Sequence, residues 1–170
     1  YVSGTGSPMY YAARIAKEKY PDAKIVFVGP CVAKRKEAQR DEAVDFVMTF
    51  EEISSIFDAF EVNLEIVQPY AMEFSSVREA HGFAQAGGVM GAVKAFLKME
   101  ADKINAIQVS DLNKKNIGTL RAYAKSGKAP GQFIEVMACE GGCITGPSTH
   151  SGSNGKRQLV QELAKQEKTY

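Results

Sequence analysis

Cysteine is scarce in this chain: Cys31, Cys139 and Cys143 are the only three among 170 residues. An odd count without framework spacing excludes a disulfide-stapled domain. A reducing cytoplasm is therefore expected, where free thiols bind metals or react more often than they cross-link. Charge of one sign is lacking too. The net charge is +1, which gives no basic field for nucleic acid or an anionic membrane. No run approaches the 18 consecutive apolar residues of a spanning helix. No secretory leader is expected, and with Tyr at position 1 the chain is expected to be part of a longer protein or one processed at its N-terminus. What the chain does have is apolar substance. At 45% hydrophobic residues it can build a core without staples, and its length suits one domain or two small lobes.

The pattern predicts strands alternating with helices. Residues 7–20 read as a helix, with Ser7 as N-cap and Pro8 in the first turn. Met9, Ala12, Ala13 and Ala16 share one face, and Pro21 with Asp22 ends it. A short strand is expected over 24–29, a tight turn into a helix over 30–40 and a second strand over 45–50. The helix over 51–60 opens on Glu51 and Glu52, which suit the positive end of the helix dipole. Residues 61–80 show no regular pattern. A glycine-led helix over 87–99 and a third strand over 105–110 follow. The helix over 116–127 is closed by Lys125 and Gly127, and the fourth strand spans 132–139. This alternation predicts an α/β fold of about four mostly parallel strands flanked by helices. The expected division is a lobe over 1–150, a linker over 151–155 and a terminal helix within 156–170. Functional groups gather at the carboxyl ends of parallel strands. If the strands share one sheet, all three thiols lie on one edge.

Two of the thiols stand in Glu135–Pro147, which reads EVMACEGGCITGP. Gly141 and Gly142 let backbone fold closely around a large inorganic group, and amides aimed at sulfur tune an iron–sulfur cluster. Cys31 sits where a strand turns into a helix, and Lys34 lies one turn on, a setting that lowers a thiol's pKa. Three soft thiolates favour zinc, copper(I) or an iron–sulfur cluster. Zinc would take a fourth ligand, with His150 the nearest candidate, although a histidine in such a polar loop is ordinarily solvated. His81 is expected at the surface or capping a turn. A nucleophilic Cys31 activated by Lys34 would define a thiol enzyme, but it leaves the second motif unexplained. The eight acids of residues 41–65, with no Lys or Arg among them, form a solvated face or a docking patch.

Several stretches together resemble the large subunit of the iron-only (FeFe) hydrogenases. GPCVAKRKEA (29–38) resembles the family's second signature, a Met-Pro-Cys-x-x-Lys-x-x-Glu run. EVMACEGGCITG (135–146) is similar to the third, Glu-x-Met-x-Cys-x-x-Gly-Cys, and GFAQAGGVMGAV (82–93) to the glycine-rich helix start between them. The resemblance covers about residues 7–147. It implies an H-cluster, a 4Fe–4S cubane joined through cysteine sulfur to a two-iron unit, that interconverts dihydrogen with protons and electrons. Cys31 and Cys139 would hold the cubane, and Cys143 would hold it and bridge to the two-iron unit. Pro30 would stand at the cofactor beside Cys31. Lys34 would donate to a cyanide ligand, Met137 would line the pocket, and Glu37 would support the proton side or remain an ordinary helix-surface acid.

The departures carry weight as well. The family's first signature, Thr-Ser-Cys-Cys-Pro, would lie upstream of Tyr1, and a cubane wants four ligands where this stretch offers three. The stretch alone is therefore expected to hold its cluster incompletely or not at all, and not to turn over hydrogen. Gly29 replaces the typical methionine and GPSTH (146–150) the Gly-Gly-Gly-Gln-Pro tail, as in a divergent, sensory branch. Partners implied by the resemblance are the N-terminal half of the same catalytic domain, ferredoxin-like domains or ferredoxin, and H2 with protons as substrate. Neither nucleic acid nor membrane is expected. An isolated lobe would expose apolar surface and self-associate. The alternatives are a hydrogen or redox sensor, an iron–sulfur assembly protein of the same superfamily, and a zinc-stabilised interaction module on Cys31, Cys139, Cys143 and His150.

Overall fold

The four strands among the described residues pair two by two. The computed structural model describes residues 2–68, 70, 76–150 and 152–166. It divides the chain into two units, Tyr1–Pro69 with Pro147–His150, and Tyr70–Gly146 with Ser151–Tyr170. The α/β class with parallel strands flanked by helices holds. The single sheet edge does not, because β1–β2 and β3–β4 are separate sheets. Alternation along a sequence fixes the layer type but not which strands pair, since parallel pairing is set across long crossovers.

In the first unit α1 spans Pro8–Lys19, and Ser7 Oγ accepts from the Tyr10 N–H at 3.3 Å. Met9 and Ala13 are buried with Val44, and Ile25, Phe27, Ala38, Ala43 and Val47 pack on them. Ala12, expected on that face, is exposed. β1 (Val26–Val28) runs parallel to β2 (Phe46–Met48), Val26 opposite Phe46. Phe27 and Val47 serve the core, whereas Val26 and Phe46 are 46% and 58% exposed. α2 (Ala33–Ala38) lies between the strands. α3 (Phe50–Ala59) opens on a capping box. Thr49 Oγ1 accepts from the Glu52 N–H, and the Glu52 carboxylate accepts from the Thr49 N–H. Three of the acids expected as a solvated face are structural. Asp41, buried, pairs with Arg14 at 3.0 Å, Asp45 with Lys24 at 2.9 Å and Glu52 with Arg35 at 2.6 Å.

The second unit contains α4 (Arg78–His81), in a stretch whose sequence shows no regular pattern, and a 3-10 turn over Gly82–Ala84. Residues 69 and 71–75 of that irregular stretch lie outside the described residues. α5 (Gly88–Leu97) starts after Gly87, whose φ of +89° suits glycine. β3 (Ala106–Ser110) runs parallel to β4 (Phe133–Met137), placing Ser110 opposite Met137. α6 (Lys114–Ser126) is capped by Asn113 and ends at Gly127, φ +66°. α7 begins at Gly152 and ends at Ala164. Residues expected as a linker thus supply its first turn, since their Ser, Gly and Asn content gives no helical pattern. Residues 167 and 168, the end of that expected helix, lie outside the described residues.

Candidate metal centre

The thiols follow the carboxyl ends of two strands, one in each unit. β1 ends at Val28, and Gly29, Pro30 and Cys31 turn the chain toward α2. Cys31 is half-buried, and its carbonyl accepts from the Lys34 N–H at 3.2 Å. Lys34 Nζ donates to Glu37 Oε2 at 2.5 Å, and Ser7 Oγ donates to Glu37 Oε1. Both carboxylate oxygens of Glu37 are therefore engaged, and the motif helix is tied to the cap of α1. Partial burial pushes the Glu37 carboxyl up, but the Lys34 ammonium and the Ser7 hydroxyl outweigh it and hold it below its ordinary range. Lys34 thus has a polar partner on its own helix. Glu37 is more than an ordinary surface acid, because it holds Lys34 and Ser7 at once.

In the second unit β4 runs from Phe133 to Met137, and the turn carrying Cys139 and Cys143 follows at once. Both cysteines are half-buried and neither is in a disulfide. Gly141 and Gly142 take φ of +79° and +101°, conformations that side chains disfavour. A Cβ on Gly142 would stand 2.5 Å from the Ala86 nitrogen, so the turn lies directly against residues 84–86. The Ala86 N–H donates to the Gly141 carbonyl at 2.9 Å. Ser110, at the end of β3, accepts from the Gly141 N–H at 2.9 Å and donates to the Cys139 carbonyl at 3.4 Å. Asn116 donates in turn to the Ser110 and Asp111 carbonyls. Met137 is half-buried at the end of β4.

Glu135 was not singled out by the sequence. It is 4% exposed and accepts from the Gly87 N–H at 2.6 Å and the Met90 N–H at 2.7 Å. It therefore caps α5 from a neighbouring strand. Two signals were available: Glu135 opens the stretch that resembles the third signature, and it is an acid inside the apolar run QFIEVMA, where a buried carboxylate must find donors.

The other nominated residues fall as follows. His81 is exposed at the end of α4. His150 belongs to the first unit, where its Nε2 lies 2.9 Å from Ser54 Oγ and 3.2 Å from the Phe50 carbonyl. The imidazole is thus held by α3, and among the described residues no three His, Cys, Asp or Glu side chains are gathered as for a metal. Each turn offers soft donors: Cys31 on one, and Cys139 with Cys143 on another already fixed by backbone contacts, none of them in a disulfide. A cubane takes four thiolates, so the Cys139–Cys143 pair fits part of its coordination and leaves the other ligands to come from elsewhere.

Comparison with known proteins agrees with this chemistry. A family model described as the iron only hydrogenase large subunit, C-terminal domain, matches residues 1–147. The cytosolic Fe-S cluster assembly factor narfl of Danio rerio is 27% identical, over 98% of this chain and 54% of its own length. Iron hydrogenase 1 of Clostridium pasteurianum is 28% identical, over 85% of this chain and 33% of its own. The chain thus spans about half the length of these curated relatives, or less. Two solved FeFe-hydrogenase structures share the fold. One, from work on oxygen inactivation of the H cluster, has a TM-score of 0.69 at 20% identity, covering 100% of this chain and 61% of that one. The other, from work on stepwise H-cluster assembly, has 0.65 at 21%, covering 100% and 62%.

Proposed function

We propose that this chain, which belongs to the family of iron-only hydrogenase C-terminal domains, binds an iron–sulfur cluster through Cys139 and Cys143, with Cys31 as a further candidate thiol on its own turn. The rest of the ligand set comes from outside these 170 residues. The observation that carries this reading is the reduced cysteine pair on a glycine turn pinned by Ser110 and Ala86. A preformed pair of soft ligands costs little to organise around iron. The cluster serves iron–sulfur assembly or sensing in the cytosol more than hydrogen turnover. Gly29 and the Gly-Pro-Ser-Thr-His tail depart from the producers' pattern, and a curated relative matching nearly the whole chain is an assembly factor. Hydrogen turnover is the second reading. It is favoured by Lys34, a cation one turn after Cys31 that is suited to donate to an anionic cluster ligand. That reading requires the two-iron unit, the N-terminal half of the domain and a ferredoxin-like electron donor.

The test is anaerobic reconstitution with iron and sulfide, analysed alongside zinc, for wild type and Cys139→Ala. About four irons and four sulfides per cluster, lost in the variant, support the proposal; one tightly held zinc and no iron overturns it. Hydrogen evolution by the loaded protein with an artificial reductant separates the two readings. Self-association is also proposed, because Val26, Val28 and Phe46 leave one face of the β1–β2 sheet open. Light scattering showing a clean monomer at high concentration would overturn that.

A further inference from the structure

We propose that Glu135 is a positioning residue for the Cys139–Cys143 pair, acting through the start of α5. This rests on the cluster-ligand reading of that pair. The chain of contacts is short and continuous. The buried Glu135 carboxylate accepts from the Gly87 and Met90 N–H groups and so fixes the entry of α5. The residues just before that entry hold the cysteine turn: the Ala86 N–H donates to the Gly141 carbonyl, and Gly142 lies against Gln85 and Ala86 with no room for a Cβ. The acid stands four residues before Cys139 on β4, yet it reaches the turn by way of an element 45 or more residues earlier in sequence.

The chemistry of the link favours a carboxylate. Two short amide hydrogen bonds and the positive end of α5 offset the burial of its charge. A neutral amide of the same shape offers one acceptor oxygen and presents an N–H2 to the second N–H, leaving two donors facing each other. Glu135→Gln therefore releases one of the two amides and loosens residues 85–90. The glycine turn loses its wall, and the two thiols lose their common orientation. Supporting groups behind metal ligands act in this way, and their loss weakens metal binding without removing a ligand.

The test uses the full chain with Cys31→Ser, so that only the pair remains, and Cd2+ as the probe. Thiolate-to-cadmium charge-transfer absorption reads the affinity, and Cys139→Ala in the same background verifies that the pair is the site. Glu135→Gln is expected to weaken Cd2+ binding by roughly tenfold or more. Ala92→Gly, in the same helix but away from these contacts, lowers the melting temperature and leaves the affinity unchanged. Equal affinities of Glu135→Gln and Ala92→Gly, at matched melting temperatures, would overturn the proposal, because Glu135 would then act on stability alone. Should Glu135→Gln not fold, Glu135→Asp keeps the charge and reaches one amide. It must show a smaller loss in the same direction, and wild-type affinity there overturns the proposal equally. Failure of wild-type Cys139 and Cys143 to bind Cd2+ together also overturns it. A cadmium site that depends on Glu135 in a protein that takes up no iron or sulfide supports the positioning role and removes the cluster reading beneath it.

Discussion

The two cysteine-bearing turns both follow a parallel strand, yet they are fixed by opposite means. The Cys31 turn is held by side chains. Lys34 and Glu37 pair on α2, Ser7 joins them, and further ion pairs of Asp41, Asp45 and Glu52 brace the surrounding unit. Most of these groups are partly exposed, so each pair contributes little on its own and responds to salt and pH. The Cys139–Cys143 turn is held by backbone. Its glycines lie against the segment before α5, Ser110 pins it through a hydroxyl, and the one carboxylate behind it is buried. A turn of the first kind tolerates substitution and adjusts to conditions. A turn of the second kind has one allowed shape and fails when a single atom is added.

The sharpest way to break this contrast is to add a methyl group to each turn. Gly142→Ala places a Cβ against the Ala86 nitrogen at a φ of +101°. Strain and overpacking together are expected to destabilise the second unit by about 3 kcal/mol or more. Gly29→Ala meets only the Phe27 ring, 2.8 Å from the added carbon, and at a backbone φ that needs no glycine, so a small shift of that core ring relieves it. Its cost is expected to be about 1 kcal/mol. Urea denaturation read by amide exchange at Ile107–Val109 and at Val26–Val28 reports the two units separately. Equal losses would abolish the distinction.

Acid gives the next effect. The Ile25 N–H and then the Lys24 ammonium hold the Asp45 carboxyl down to about 2. The Arg14 guanidinium lowers Asp41, and the Thr49 N–H with Arg35 lowers Glu52. Each group is depressed in the folded state. The stability it contributes is full above its unfolded value, near 4, and is lost as pH falls from there toward the folded value. Amides of Val26–Val28 are expected to exchange faster between about pH 4 and pH 2, and Asp45→Asn should flatten that dependence. An unchanged profile in the variant would show that Asp45 does not link the strands to acid.

The sequence already carried most of what is local. Ser7 and Gly127 mark helix ends through chemistry that acts within three or four residues; the caps Thr49 and Asn113 act over the same range but fall outside the expected helices. The cysteine and glycine motifs were equally legible, because the turn's shape demands those residue types. What lay hidden is non-local. The pairing of strands as 1–2 and 3–4 depends on crossovers that leave no periodic mark. The role of Glu135 depends on amides 45 and 48 residues away, and Asp41 is read as a surface acid until Arg14 is found 27 residues earlier. α4 has four residues, too few for a period to show.

The smallest effect tests the ionic turn most directly. Glu37→Gln removes the charge facing Lys34 but keeps an acceptor for either the Ser7 hydroxyl or the ammonium. Because Lys34 and Glu37 retain 22% and 35% side-chain exposure, water screens much of the attraction. The expected cost is about 0.5 kcal/mol at low salt, and less again in high salt where exposed pairs are screened. The local consequence should exceed the global one: Lys34 released from Glu37 gives up its proton to solvent more readily, and its neutral amine is expected to react faster with an acylating reagent, in a ratio to wild type that shrinks as salt rises. A loss above about 2 kcal/mol that ignores salt would place this turn with the packed one and would mean that Glu37, like Glu135, is held by hydrogen bonds that water and salt do not screen.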